Sequence, residues 1–155
     1  MKYLKTYESH KYLSEDGLTF DCSYNNLTEL PELPQTLERL YCGNNQLTEL
    51  PELPQTLKVL SCYNNQLQEL PELPPTLKQL DCDNNQLKKL PELPQTLKIL
   101  YCGNNQLQKL PQLPQTLEKL YCSGNKLPYD NLEGYWKWFY KQNPDLDQAN
   151  KMGLI

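Results

Sequence analysis

Apolar residues return to the same places every twenty residues along most of this chain. From Leu37 to Thr56 they are Leu37, Leu40, Cys42, Leu47, Leu50 and Leu53, and the units opening at Leu57, Leu77 and Leu97 repeat that pattern. Leu40-Tyr41-Cys42 alternates apolar and polar with the period of a strand, which predicts one short strand per unit, about Arg39 to Cys42. Asn44-Asn45 follows and bends the chain, since Asn tolerates turn conformations. Leu47 and Leu50 then return to the interior. Pro51 and Pro54 fix their own φ and push the preceding residues to extended forms, so the return path is predicted to be extended or polyproline-like, with no helix. A unit this short cannot bury its own apolar side. Stacking is the physical solution, and it predicts a solenoid with a parallel sheet of about six strands along one face.

Two further columns keep strict register. Cysteine stands at Cys22, Cys42, Cys62, Cys82, Cys102 and Cys122. Equivalent side chains on stacked coils run parallel about 4.8 Å apart, whereas a disulfide needs converging Cβ atoms about 3.8 Å apart. A linear file of thiols is also unsuited to tetrahedral zinc. The six are therefore predicted to be free, buried thiols that pack as small hydrophobes, which suits a reducing compartment such as the cytoplasm. Asparagine stands three residues later, at Asn25, Asn45, Asn65, Asn85, Asn105 and Asn125. Its amide, turned inward, is expected to bond backbone groups of its own and the next coil. Thr36, Thr56, Thr76, Thr96 and Thr116 also recur, and are read either as corner-bonding groups or as a solvated column.

Terminal coils need caps, because an apolar cross-section would otherwise meet water. Residues 1–16 are read as the N-terminal cap, 17–127 as the repeats, and 128–155 as a C-terminal cap and tail, all within one structural domain. Lys11-Tyr12-Leu13 and Leu18-Thr19-Phe20 flank Asp16-Gly17 and predict a hairpin. At the other end, Leu132, Trp136 and Phe139 recur at helical spacing. They predict a helix from about Asp130 to Lys141, capped by Asp130 or Asn131, stopped by Pro144, with those three residues covering the last coil.

The columns spell LxxLxCxxNxLxxLPxLPxx, which resembles a leucine-rich repeat. Its paired prolines and length are similar to the short bacterial class found in YopM-like and IpaH-like effectors. The resemblance covers residues 17–127. It implies a curved, right-handed solenoid whose concave parallel sheet binds proteins, and an effector role. Cys stands where the family usually has an aliphatic residue, and the ligase domain that follows the repeats in IpaH-like proteins is not expected in the 28 residues after Leu127.

Charge narrows the function. The formal net charge is -4 and the pI about 5.0, which argues against a nucleic-acid partner. No apolar run is long enough to span a membrane, and residues 1–17 do not form an ordinary secretory signal. A location in a reducing cytoplasm is expected, with non-classical secretion into a host kept as a route. No cofactor or metal site is expected. The sole histidine, His10, lies in the cap away from any Cys or Ser candidate.

Function is expected on the outward strand positions. One column reads Thr19, Arg39, Val59, Gln79, Ile99, Lys119; the next Asp21, Tyr41, Ser61, Asp81, Tyr101, Tyr121; a third Ser23, Gly43, Tyr63, Asp83, Gly103, Ser123. These vary while the buried columns do not. Tyr41, Val59, Tyr63, Ile99, Tyr101 and Tyr121 suggest a protein-binding patch centred on Asp81 and Asp83; the alternative is an ordinary solvated face on which Tyr suits a strand. Asp81 and Asp83 stand about 7 Å apart on one strand face, a spacing compatible with an inverting glycosidase or with calcium. An open face is expected to leave neither acid buried nor raised in pKa, and ion pairs to Lys78 and Lys98 are expected instead. The reading is thus a non-enzymatic module, monomeric or weakly self-associating, that binds a protein partner on its concave face. The alternatives are a structural, virion-associated or self-assembling repeat protein, a consensus-designed scaffold, and an enzyme such as a glycosidase. Along the back, Glu29, Glu49 and Glu69 give way to Lys89 and Lys109, a polarity that either orients a partner, promotes head-to-tail association or solubilises the face.

Overall fold

A computed structural model describes residues 11–146. Each coil contributes a three-residue strand: β1 Thr19–Asp21, β2 Arg39–Tyr41, β3 Val59–Ser61, β4 Gln79–Asp81, β5 Ile99–Tyr101 and β6 Lys119–Tyr121. They form one parallel sheet in chain order, with every residue paired to the one twenty positions on, as in Phe20↔Leu40 and Leu40↔Leu60. The strands stop one residue short of the predicted end, although the ladder continues: Cys42 N–H donates to Ser61 O at 2.8 Å. The apolar columns make one continuous core, with Leu40, Cys42 and Leu47 wholly buried. This is the solenoid expected from the period, with the leucine-rich-repeat architecture that the resemblance implies.

The return path is non-helical, as the prolines require; among the described residues the first helix comes after β6. The second proline of each unit also opens a tight turn, in which Leu57 N–H donates to Pro54 O at 3.0 Å and Leu77 N–H to Pro74 O at 3.0 Å. Pro75 falls at the second position of its turn, where the fixed φ of proline is wanted.

The two asparagines of each pair divide the work. The first takes the left-handed conformation, with φ 54° at Asn44, 51° at Asn64, 54° at Asn84 and 49° at Asn104. The second turns inward. Asn65 Nδ2 donates to Cys42 O and Cys62 O, both at 3.0 Å, and its Oδ1 accepts from Leu47 N–H at 3.0 Å. Asn45, Asn85 and Asn105 repeat the arrangement and are equally buried. The threonine column bonds the corners. Thr76 Oγ1 reaches Gln55 O and Leu57 O of the preceding coil, both at 2.8 Å, and Thr56, Thr96 and Thr116 do the same.

All six cysteines are free and buried. Burial pushes the thiols of Cys22 and Cys122 up to about 12 and raises the four between them well above the usual thiol range. They are therefore packing groups, without nucleophilic or ligating character.

Both open edges of the sheet are covered by chain that turns back on them, which removes the usual hazard of an unpaired strand edge. At β1, Leu13 bridges Phe20 in antiparallel sense and Asp21 N–H donates to Tyr12 O at 2.8 Å. The hairpin turn is closed by Gly17 N–H to Ser14 O at 2.9 Å, with Gly17 at φ 69°. At β6, Asn131 bridges Tyr121. Helix α1, Leu132–Gln142, begins two residues later than expected. Asn131 is its N-cap, accepting from Gly134 N–H at 2.9 Å. The residue it buries is Tyr135, beside Tyr129; Leu132, Trp136 and Phe139 are only partly covered. All three pack against the core as expected, and Tyr135, which the spacing did not single out, is the most deeply buried residue of the helix. The cap residues before Lys11, His10 among them, and the tail after Leu146 lie outside the described residues.

Candidate functional site: the outward face of the sheet

The parallel register places the varying residues in straight columns. Tyr41, Ser61, Asp81, Tyr101 and Tyr121 are consecutive neighbours across β2 to β6. Val59 and Ile99 do not touch, because Gln79 stands between them. The apolar part of the patch is therefore two separate spots, and the tyrosines supply its continuity.

Glycines set how those tyrosines lie. At Gly43 a Cβ would collide with the ring of Tyr63, and at Gly103 it would stand 2.7 Å from the ring of Tyr121. Each ring thus lies across bare backbone of the coil before it. Tyr63 is held there by a second tyrosine, which the sequence reading did not select: the Tyr24 and Tyr63 hydroxyls are 3.1 Å apart, spanning two coils. Tyr24 has φ 60°, and stands where later coils carry Asn44, Asn64, Asn84, Asn104 or Gly124, residues that tolerate left-handed backbone. It is also 72% exposed. A bulky side chain in that conformation is unusual, and the signal was present in the column, where Tyr24 alone departs from Asn or Gly.

The acid pair differs from expectation. Among the described residues no lysine or arginine stands within ion-pair distance of Asp81 or Asp83; Lys98 pairs instead with Glu118 at 2.7 Å. The reason is position: Lys98 lies at the strand entrance, beside Glu118 of the next coil. Both carboxylates are raised, contrary to the expectation for an open face. Burial pushes Asp83 up to about 6, the negative charge of Asp81 adds to this, and the Gly103 N–H, donating to Asp83 Oδ1 at 2.5 Å, opposes it. Burial likewise raises Asp81, against bonds from the Asp83 N–H and the Ser61 hydroxyl.

The raised pKa of Asp83 has a consequence for stability. Between its unfolded value near 4 and its folded value of about 6, the native state binds more protons than the unfolded one. Its contribution is therefore fully present at low pH and declines as pH rises through 6. Asp83→Asn, which keeps an acceptor for Gly103 N–H, should melt like the parent at pH 4. It should gain on the order of 1 kcal/mol above pH 7, after discounting for solvent screening. Melting curves for both chains across pH 4 to pH 8, about the folded value, test this; a constant difference would show that Asp83 carries an ordinary exposed charge.

No group of three or more His, Cys, Asp or Glu residues is placed to hold a metal ion among the described residues. Nor is any described helix long and apolar enough to cross a membrane.

With fold and face in view, comparison with known proteins is informative. A family model described as leucine rich repeats (2 copies) matches residues 55–95. No curated protein sequence matches the chain. Among solved structures, the leucine-rich-repeat domain of a Shigella effector is similar over 81% of this chain and 59% of its own, at 38% identity and a TM-score of 0.75. YopM from Yersinia enterocolitica is similar over 82% of this chain and 33% of its own, at 38% identity and a TM-score of 0.64. YopM from Yersinia pestis, described as a leucine-rich effector protein, is similar over 81% and 48%, at 34% identity and a TM-score of 0.55. The chain thus spans between a third and three fifths of these neighbours. It is a leucine-rich-repeat protein with a twenty-residue period, and these structural neighbours are leucine-rich-repeat effectors.

Proposed function

We propose that the chain is a non-enzymatic protein-interaction module and that its partner, a protein, docks on the outward face of the sheet. One observation carries this reading. Buried positions repeat almost without change, while Tyr24, Tyr41, Tyr63, Tyr101 and Tyr121 appear only at positions that packing leaves free. Tyr supplies contact area at low conformational cost and a hydroxyl for orientation, the properties of interface anchors. Two of these rings are already laid down on glycine, so less order has to be gained on binding. Asp81 and Asp83 stand side by side and part-buried on the outward face of the sheet. The grooves along α1, beside the hairpin and on the lateral edge lie elsewhere. That arrangement favours a polar centre within a binding patch over a catalytic pair.

The description of the structural neighbours as effectors supports the same role here, with action on a protein of another cell. The buried free thiols suit a reducing destination. Affinity capture with the full chain tests the proposal. Tyr63→Ala/Tyr101→Ala should lose most of the proteins recovered by the parent, with melting temperature little changed. Equal recovery by the two chains would remove the sheet face as the docking site.

A further inference from the structure

Two charged columns run along this solenoid, and they differ in whether their charges find partners within the chain. At the strand entrances stand Glu38, Lys58, Lys78, Lys98 and Glu118. At its two ends opposite charges meet one coil apart, with Lys58 Nζ 2.6 Å from Glu38 Oε1 and Lys98 Nζ 2.7 Å from Glu118 Oε1, and Lys78 stands between the two lysines. On the lateral edge beyond the asparagine ladder, following Glu29, stand Glu49, Glu69, Lys89 and Lys109, with acid beside acid and base beside base. Among the described residues none of these four makes an ion pair. Like charges on adjacent coils, about 4.8 Å apart, repel one another. In the first column the two outer lysines find acids one coil away; in the second, these four described residues form no such ion pair. The segregated column keeps that repulsion.

The same edge carries an open groove of about 950 Å³, lined by these four side chains with Gln68 and Lys88 beside them. We propose that this edge is a self-complementary interface and that its occupant is a second copy of the chain, turned about a two-fold axis between the coils of Glu69 and Lys89. That rotation sets Glu49 opposite Lys109 of the second copy, and Glu69 opposite Lys89. Symmetry doubles each match, so all four segregated charges on both chains are neutralised together. In the neighbouring column Gln68 meets Lys88. The register is fixed by charge: sliding one coil toward the acidic end puts Glu69 against its own symmetry mate, and sliding the other way does so for Lys89. A parallel side-by-side pair would set acid against acid. Stacking end to end along the solenoid is closed off, because the hairpin covers β1 and the segment leading into α1 covers β6. The interface lies away from the sheet face, so it leaves the proposed docking patch free and stands or falls separately from it.

Exposed ion pairs are individually weak and screened by salt, so the dimer should be weak and salt-sensitive. Sedimentation of the full chain at about 50 mM and about 500 mM salt tests it, conditions that shorten the screening length about threefold. At low salt the mass should rise with concentration from one chain of 18.2 kDa toward two, and return to one at high salt. Glu49→Lys/Glu69→Lys and Lys89→Glu/Lys109→Glu should each be monomeric alone, and an equal mixture of the two should dimerise at low salt. Carbodiimide coupling of the unaltered chain should join Glu69 to Lys89 between copies, a readout that does not depend on the variants folding. A parent that stays monomeric at low salt overturns the proposal. So does a mixture that stays monomeric while both variants are folded, and so does growth past the dimer.

Discussion

Asn65→Ala should lower the melting temperature by about 5–15 °C, corresponding to a loss of about 2–4 kcal/mol. The origin of so large an effect can be located. The carbonyls that the Asn65 amide serves have other donors: Cys42 O also accepts from Asn45, and Cys62 O from Asn85. The Leu47 N–H has no other partner. It is buried and donates to Asn65 Oδ1 at 3.0 Å, so removing the amide strands it at a cost of about 1–3 kcal/mol. The vacated volume between coils adds a cavity cost. Asn64→Ala is the control. It forfeits a left-handed residue, about 1–2 kcal/mol, and one exposed bond to Asn44 at 2.9 Å. Asn64→Gly should recover most of that loss. The order expected is therefore Asn65→Ala well below Asn64→Ala, with Asn64→Gly near the parent. Equal melting of the two alanine variants would refute the inward amide as the main tie between coils.

That a single sequence discloses this much follows from repetition. Any column that recurs without change, such as Leu40, Cys42 or Asn45, is one that every coil needs for the same packing. The chain thereby acts as its own comparison. Strand positions, thiol burial and the amide ladder were readable for that reason. The same logic stops where repetition stops. Tyr24 and Asp83 occur once each, and their roles depend on neighbours one or two coils away: Tyr63 for one, Gly103 and Asp81 for the other. Column reading treats coils as independent. It therefore missed the tyrosine bridge, and it placed on an open face two acids that are part-buried. The lysine assignments failed for a related reason. Lys98 was assigned to Asp81 and Asp83 of the preceding coil, whereas its partner, Glu118, stands in the next coil at the equivalent position of its own column.

The ends of the chain have no repeat to guide them, and the second large effect is expected there. Tyr135→Ala should cost about 3–5 kcal/mol, the range for deleting a buried aromatic side chain. Tyr135 is 6% exposed and Tyr129 7%. Their rings meet edge-on with centroids 5.2 Å apart, and Phe139 stacks on Tyr135 at 5.9 Å. Together they seal the core at Leu117, Leu120 and Cys122, which no further coil covers. Trp138 packs on Tyr129 at 5.3 Å but is 36% exposed, so Trp138→Ala should cost about 1 kcal/mol. A solenoid's coils stabilise only their neighbours, so the loss at Tyr135 should be graded along the chain. In Tyr135→Ala, hydrogen exchange should accelerate strongly at Cys122 N–H, which donates to Asp130 O at 2.9 Å, and at Lys119 N–H, bonded to Lys98 O at 3.0 Å. It should change little at Cys42 and Cys62, four and three coils away. Uniform acceleration across all coils would mean that the chain unfolds as one unit, and that α1 acts as part of a single core more than as a local seal.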